Sequence, residues 1–237
     1  MISICMPIIH RPELSEMTEK AIRNIRETTK EQHEIILVQQ GGEKEEFKDL
    51  VDKHLFFAKT LRSLGEAYNR GFEKADGDVF VNIHNDVTLP DNWDALLASA
   101  ARKGYVGCVF TDETDSDCQS RGVHKGGLKY IPSCCFSISK ENWEKISGYD
   151  EKFVGFHWED LDLFLSAAQS GCDPVRCDVT VKHKRGVTRS IDGMFKSDYF
   201  MIANKDHYYQ KHFDLFKDAG LYYINLPDYA NFKEVAA

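Results

Sequence analysis

Three short, β-branched apolar runs, separated by segments of helical periodicity, constrain this chain most. They are Ile2–Pro7, Glu34–Gln39 and Val79–Ile83. Between the first two, Leu14, Met17, Ala21 and Ile25 fall on one helical face, with Pro12 near the helix start. After Gly41-Gly42 comes a charged segment with Phe47, Leu50 and Val51, which reads as a helix. Phe56-Phe57-Ala58 reads as a short strand, and Ser63–Ala75 as a helix carrying Tyr68 and Phe72, stopped by Asp76-Gly77. Strand, helix, strand, helix in this rhythm implies an α/β fold with a mostly parallel, doubly wound sheet. Ligands of such sheets bind in the crevice outside the carboxyl ends of the strands.

Beyond residue 86 the pattern loosens. Asp91–Lys103 is helical, with Trp93, Leu96, Leu97 and Ala100 toward the core, and Tyr105–Phe110 is a strand. Thr111–Leu128 is polar, holds three glycines and lacks periodicity, so it is expected to be a mobile loop that closes over a bound ligand. Tyr130–Ile138 resumes strand character, and Ser139 opens a short helix that Gly148 ends. Trp158–Ser170 is helical with Leu161, Phe164, Leu165 and Ala168 inward, and Val175–Val181 is a last strand. Residues 195–213 form a helix rich in Tyr, Phe and His, before a loose tail. The expected organisation is one domain over residues 1–190 and a helical extension and tail over 191–237.

Composition excludes some partners. The chain has 237 residues, 42% of them hydrophobic, and a net charge of −8 with no basic block, so nucleic acid is not expected. A phosphorylated ligand would need a metal or local cations to offset that acidity. No apolar stretch approaches a membrane span and the N-terminus lacks secretory features, so a cytoplasmic protein is expected. Cys5, Cys108, Cys134 and Cys135 sit in apolar runs and read as small reduced hydrophobes. Cys172 and Cys177 could bridge, though thiols suit a cytosolic chain better.

Three polar features interrupt this scaffold. The run Val79–Ile83 ends in His84-Asn85-Asp86, just past a strand's carboxyl end. A carboxylate there, beside a His and an Asn, can hold a hard cation and through it a phosphate. By itself the trio reads first as turn chemistry, with Pro90 close behind. The second feature is Gly155-Phe156-His157-Trp158-Glu159-Asp160-Leu161-Asp162, three carboxylates at one helix N-terminus. Compensation of the helix dipole explains one or two acids. It does not explain the aromatic pair before them, whereas an acid pair in an aromatic-walled pocket suits a general base. The third is His183, directly after the strand Val175–Val181.

Taken in order, these segments resemble family 2-like glycosyltransferases of the GT-A fold, over roughly residues 1–190. Ser3-Ile4-Cys5-Met6-Pro7 with Arg11-Pro12-Glu13-Leu14 is similar to the family's first strand and helix entry. Glu34-Ile35-Ile36-Leu37-Val38 with Gly41 resembles its second strand and nucleotide-facing turn. Leu64-Gly65 with Asn69 and Gly71 resembles the segment under the donor. Gly77-Asp78 through Asp86 looks like the strand leading into the DXD metal motif. Cys134–Ser139 with Gly148-Tyr149-Asp150-Glu151-Lys152-Phe153 is similar to the acceptor-side "GGFDE.F" segment. Trp158-Glu159-Asp160-Leu161-Asp162-Leu163 matches the "ED.DL" helix start. His183 sits where many GT-A enzymes place a metal-binding His.

The resemblance implies a mostly parallel, Rossmann-like central sheet flanked by helices, and transfer of a sugar from a nucleotide sugar to a hydroxyl with inversion. It assigns donor contacts to Pro7, Ile8, Arg11, Gln39, Gln40, Leu64, Gly65, Asn69, Asn85 and Asp86, with Gly65 and Gly71 allowing close approach to the donor. It makes Asp160 the base, with Glu159, Trp158 and His157 toward the acceptor. Asp86 and His183, with His84 as a further candidate, would hold Mn²⁺ or Mg²⁺, the mixed N/O set suiting Mn²⁺ better. There are departures. His84 replaces the first acid of the DXD motif, and Gln39-Gln40 stand where an acidic or Asp-Asn pair is usual, which leaves UDP-, dTDP- and GDP-sugars open as donors. Two rivals follow. A sugar-phosphate nucleotidyltransferase needs a Gly-rich loop where Pro7-Ile8-Ile9-His10-Arg11 has none. An inactive carbohydrate- or nucleotide-sugar-binding module on the same fold is suggested by His84.

Overall fold

A computed structural model of the chain describes residues 1–42, 46–111, 133–184, 187, 199–214 and 233–234. Its parallel half contains β1 (Ile2–Ile9), β2 (His33–Gln40), β3 (Lys53–Phe57) and β4 (Val79–Ile83), in the order β3-β2-β1-β4. The sheet continues from β4 through β7 (Cys135–Ser139), β6 (Val106–Thr111) and β8 (Pro174–His183) to the two-residue β5 (Val87–Thr88), and β9 (Lys233–Glu234) pairs with β8. β7 runs antiparallel to both its neighbours, while β6 and β8 are parallel. The mostly parallel sheet expected from sequence is therefore interrupted by the reversed β7, and the short β5 at its edge is reversed as well. The reversal of β7 sets its start against the carboxyl end of β4, with Cys135 opposite Ile83.

Alternate residues of the strands feed two cores. Ile4 and Met6 of β1 pack with α1 (Ser15–Thr28) and α3 (Trp93–Arg102) through Ile22, Ile25, Trp93 and Leu97. Cys5, between them, points to the other face, among Val38, Tyr68, Phe72, Phe80, Trp143 and Phe164. These belong to α2 (Leu64–Phe72), α4 (Lys140–Ile146) and α5 (Glu159–Gln169) as well as the sheet. A sixth helix, α6 (Tyr199–Lys211), packs Tyr208 and Tyr209 against Phe153, Trp158, Leu161 and Leu165.

Several sequence expectations shift. The charged segment after Gly41-Gly42 holds only a 3-10 turn, Lys48–Leu50, with residues 43–45 outside the described ones. Its apolar residues span a single turn, and Asp52 caps the approach to β3 by accepting from Ile35 N–H at 2.7 Å and Arg26 at 2.7 Å. The buried stripe of α1 is Thr18, Ala21, Ile22 and Ile25, with Met17 at its margin. In α5 the fully inward residues are Leu163, Phe164, Leu165 and Ala167, because Leu161 turns toward α6. His183 ends β8 rather than following it. The expected helix over residues 195–213 is found as α6. The anticipated loop, apart from Thr111, the start of the Tyr130–Ile138 strand and most of the tail lie outside the described residues. Cys5, Cys108, Cys134, Cys135, Cys172 and Cys177 are free and buried.

Candidate functional site

Two polar groups meet at the carboxyl edge of the sheet. The first is His84, Asp86 and His183, whose ligand atoms all lie within 4.8 Å of one another. The chain leaving β4 turns at His84-Asn85-Asp86 and immediately pairs as β5 with the end of β8, Val87 opposite His183. That pairing, with Lys184 N–H donating to the Asp86 carbonyl at 3.0 Å, unites residues almost a hundred positions apart. His183 Nε2 lies 3.2 Å from Asp86 Oδ1, and His84 Nδ1 lies 4.0 Å from the same oxygen. The two imidazoles are shifted in opposite directions. Burial pulls the His84 pKa down to about 4, against the charge of Asp86. Burial opposes the charge on His183 too, but Asp86 and a hydrogen bond with Cys134 overcome it and carry its pKa up to about 10. His84 Nε2 is buried without a hydrogen-bond partner, and Asp86 Oδ1 is buried with only the ion contacts to the two imidazoles. An orphaned donor-set atom beside a buried carboxylate fits a divalent cation, and a proton on His183 supplies positive charge in its place.

The second group is the acid pair at the start of α5. Glu159 is 5% exposed, its Oε2 has no hydrogen-bond partner, and burial plus the charge of Asp160 push its carboxyl well above the usual range. Asp160 is half-buried and accepts two hydrogen bonds, from the Ser133 hydroxyl at 3.0 Å and from Leu161 N–H at 2.8 Å. Asp162, the third acid, is a structural anchor: it is 2% exposed and receives Lys211 Nζ and His212 Nε2, each at 2.8 Å.

Ser133 and Cys134 join the two groups. The Cys134 carbonyl accepts from His84 N–H at 2.9 Å, while the Ser133 hydroxyl reaches Asp160. The Ser133 carbonyl accepts from the Asn82 side chain at 2.8 Å, and Asn82 Oδ1 accepts from the Tyr149 hydroxyl at 3.1 Å. Burial raises the Tyr149 pKa, with the charges of Glu159 and Asp160 adding to it. The cation-type cluster and the acid pair are thus braced by one buried network.

The family model for "Glycosyl transferase family 2" matches residues 3–156. The chain belongs to glycosyl transferase family 2. A curated relative, the undecaprenyl-phosphate 4-deoxy-4-formamido-L-arabinose transferase of Proteus mirabilis (strain HI4320), is 27% identical over 113 residues, 44% of this chain and 34% of that protein. The match therefore spans about a third of the relative's length. Two solved structures share the fold. GalNAc-T7 with UDP, GalNAc and Mn2+ aligns with a TM-score of 0.61 at 14% identity, covering 77% of this chain and 43% of that one. The mannosyltransferase PcManGT of Pyrobaculum calidifontis, in complex with GDP-Man and Mn2+, aligns at 0.59 and 17% identity, covering 80% and 59%. The fold is GT-A.

Within this family 2 domain, the residues assigned to a donor divide. Pro7 and Ile8 are buried near the end of β1, and Arg11 is half-buried with Nη1 donating to the His10 carbonyl at 2.7 Å. Gln39 donates to the Gly41 carbonyl at 3.1 Å and lies 2.9 Å from His54 Nε2, while Gln40 accepts from Leu61 N–H at 2.8 Å. Both side chains are buried and hydrogen-bonded within the chain. Asn85 donates to Thr18 at 2.9 Å, and Asn69 clamps both backbone polar groups of Tyr149. Gly65 and Gly71 leave room for Tyr149 and Cys5: an added Cβ would lie 2.8 Å from Tyr149 Cβ and 2.2 Å from Cys5 Sγ. Leu64 is half-buried, and its N–H donates to the Gly155 carbonyl at 2.9 Å, tying α2 to the acid loop. His157 and Trp158 lie on that loop, half-buried. Sequence reasoning missed Asn82, Ser133 and Cys134 as site-building residues. Among the described residues no helix is long and apolar enough to cross a membrane.

Proposed function

We propose that this family 2 domain transfers a sugar from a nucleotide-sugar donor to an acceptor hydroxyl, with inversion. The observation that carries the reading is the network Asn82–Ser133–Asp160, which holds one carboxylate beside the His84–Asp86–His183 cluster. Asp160 takes the acceptor's proton, being the acid with two donors aimed at it. Glu159, whose carboxyl is pushed up by burial and by Asp160, can donate a hydrogen bond to an acceptor oxygen when it holds its proton. Trp158 offers a ring face to the acceptor sugar. A divalent cation, Mn²⁺ or Mg²⁺, held by Asp86, His183 and His84 would supply Lewis acidity at the departing diphosphate.

The curated relative's name couples its sugar to undecaprenyl phosphate. A phosphate acceptor is already ionised at neutral pH and needs no base, and it would be repelled by Asp160. The acid pair therefore favours a hydroxyl. The test is a melting-temperature screen of UDP-, dTDP- and GDP-sugars with Mn²⁺, followed by turnover of the stabilising donor. Asp160→Asn should cut kcat by roughly 10²–10⁴-fold and spare donor binding. Donor binding lost with kcat retained would remove Asp160 from catalysis, and donor binding without any turnover would favour an inactive binding module.

A further inference from the structure

Asn204, in the middle of α6, is 1% exposed and spends its side chain on one loop. Its Oδ1 accepts from Val154 N–H at 3.0 Å. Its Nδ2 donates to the carbonyls of Val154 at 2.8 Å, His157 at 2.9 Å and Phe156 at 3.2 Å. From the opposite side, Gly155 N–H donates to the Arg62 carbonyl at 2.8 Å, and Leu64 N–H to the Gly155 carbonyl at 2.9 Å.

The loop so gripped is conformationally unusual. Gly155, His157 and Trp158 have φ of 64°, 79° and 73°. Glycine adopts the left-handed region freely, whereas His and Trp side chains disfavour it and persist there only where surroundings over-determine the backbone. Trp158 immediately precedes Glu159 and Asp160, so its backbone sets the direction in which α5 departs. The helix bearing Asn204 has separate anchors: Lys211 and His212 on Asp162, and His207 on Asp150 at 3.1 Å. Docking of α6 therefore does not hang on Asn204, whose contacts serve the loop.

We propose that Asn204 is a positioning residue that locks Val154–His157, holds Trp158 left-handed and thereby aims Glu159 and Asp160 at the crevice beside His84, Asp86 and His183. The proposal rests on the proposed function, and it joins α6 to the catalytic unit although α6 lies beyond the segment matched to the family.

The test compares Asn204→Ser and Asn204→Asp with Asp160→Asn and with Ile202→Ser, a 59% exposed site on the same helix. Asn204→Ser shortens the clamp, and Asn204→Asp keeps its size but turns a carboxylate on three carbonyls. The first readout is acrylamide quenching of tryptophan fluorescence. Trp93 is 0% and Trp143 7% exposed, so Trp158 dominates the quenchable emission. The second is kcat and KM for the nucleotide sugar that raises the melting temperature, and the third is Mn²⁺ affinity. The expected result for Asn204→Ser is a cooperative melt, increased quenching, kcat lower by about 10²-fold, and unchanged KM and Mn²⁺ affinity, with Ile202→Ser like the parent. Unchanged quenching or unchanged kcat would overturn the proposal, as would failure of both Asn204 variants to melt cooperatively. Loss of kcat in Asn204→Ser with none in Asp160→Asn would instead overturn the assignment of the base.

Discussion

Removing Asp162 should detach α6 from α5. Asp162→Ala leaves His212 Nε2 without its acceptor at 2.8 Å, in a side chain 4% exposed. Losing the partner of a buried polar group costs about 1–3 kcal/mol. Lys211 suffers less, because it is 31% exposed and keeps Asp150 at 3.1 Å. Its share, screened by solvent, is about 0.5 kcal/mol. The vacated volume adds to these losses, so about 3 kcal/mol is a fair total, at the lower end for a broken buried pair. For a domain of this size that lowers the melting temperature by about 6–12 °C. Thermal and urea unfolding of the parent, Asp162→Asn and Asp162→Ala measure it. Asp162→Asn, which retains one acceptor, should fall between the other two. A shift in Asp162→Ala of less than about 2 °C would refute the view that this carboxylate holds α6 in place.

Gly65→Ala should destabilise by about 1–3 kcal/mol in urea unfolding, since its Cβ would meet Tyr149 Cβ at 2.8 Å and Cγ at 3.0 Å; an unchanged midpoint would mean that Tyr149 gives way freely. Metal-free protein should lose stability on the alkaline side. The His183 pKa is raised to about 10, above roughly 6.5 when unfolded, so its contribution is complete below that value and fades as pH climbs toward 10. Melting curves in EDTA should show His183→Gln converging with the parent at high pH, and a constant gap between them would contradict this. Asp150 acts with the opposite sign. Its pKa is lowered to about 2, where the Lys152 N–H, His207 and Lys211 outweigh burial, so its contribution holds above about 4 and disappears as pH falls toward 2. Asp150→Asn should differ from the parent at neutral pH and match it near pH 2.

The fold and one half of the site were legible because their signals are local. The Val79–Ile83 run announced a buried strand, and its His84-Asn85-Asp86 end announced the crevice. The acids at the start of α5 showed as a cluster within four residues. What stayed hidden depends on partners remote in sequence. Asn82 to Ser133, Ser133 to Asp160 and Asn204 to Val154 span 51, 27 and 50 positions. A single Asn in a helical run gives no hint that it grips a loop. The direction of β7 was equally unreadable, because alternating burial is the same for parallel and antiparallel neighbours. Yet that direction delivers Ser133 and Cys134 to the crevice. Gln39, Gln40, Asn69 and Asn85 illustrate the converse. Polar residues near strand ends and on a helix look available to a ligand from sequence, and only the structure shows that their amides also hydrogen-bond within the fold.

The central claim is that a cation at Asp86 and His183 lets an acidic protein hold a nucleoside diphosphate. Calorimetric titration of UDP, dTDP and GDP into the parent and into Asp86→Ala, each with Mn²⁺ and with excess EDTA, tests it most directly. One of the three nucleotides should bind the parent only with Mn²⁺ and should not bind Asp86→Ala, which still melts cooperatively. Equal affinity in EDTA, or in Asp86→Ala with Mn²⁺, would contradict the account.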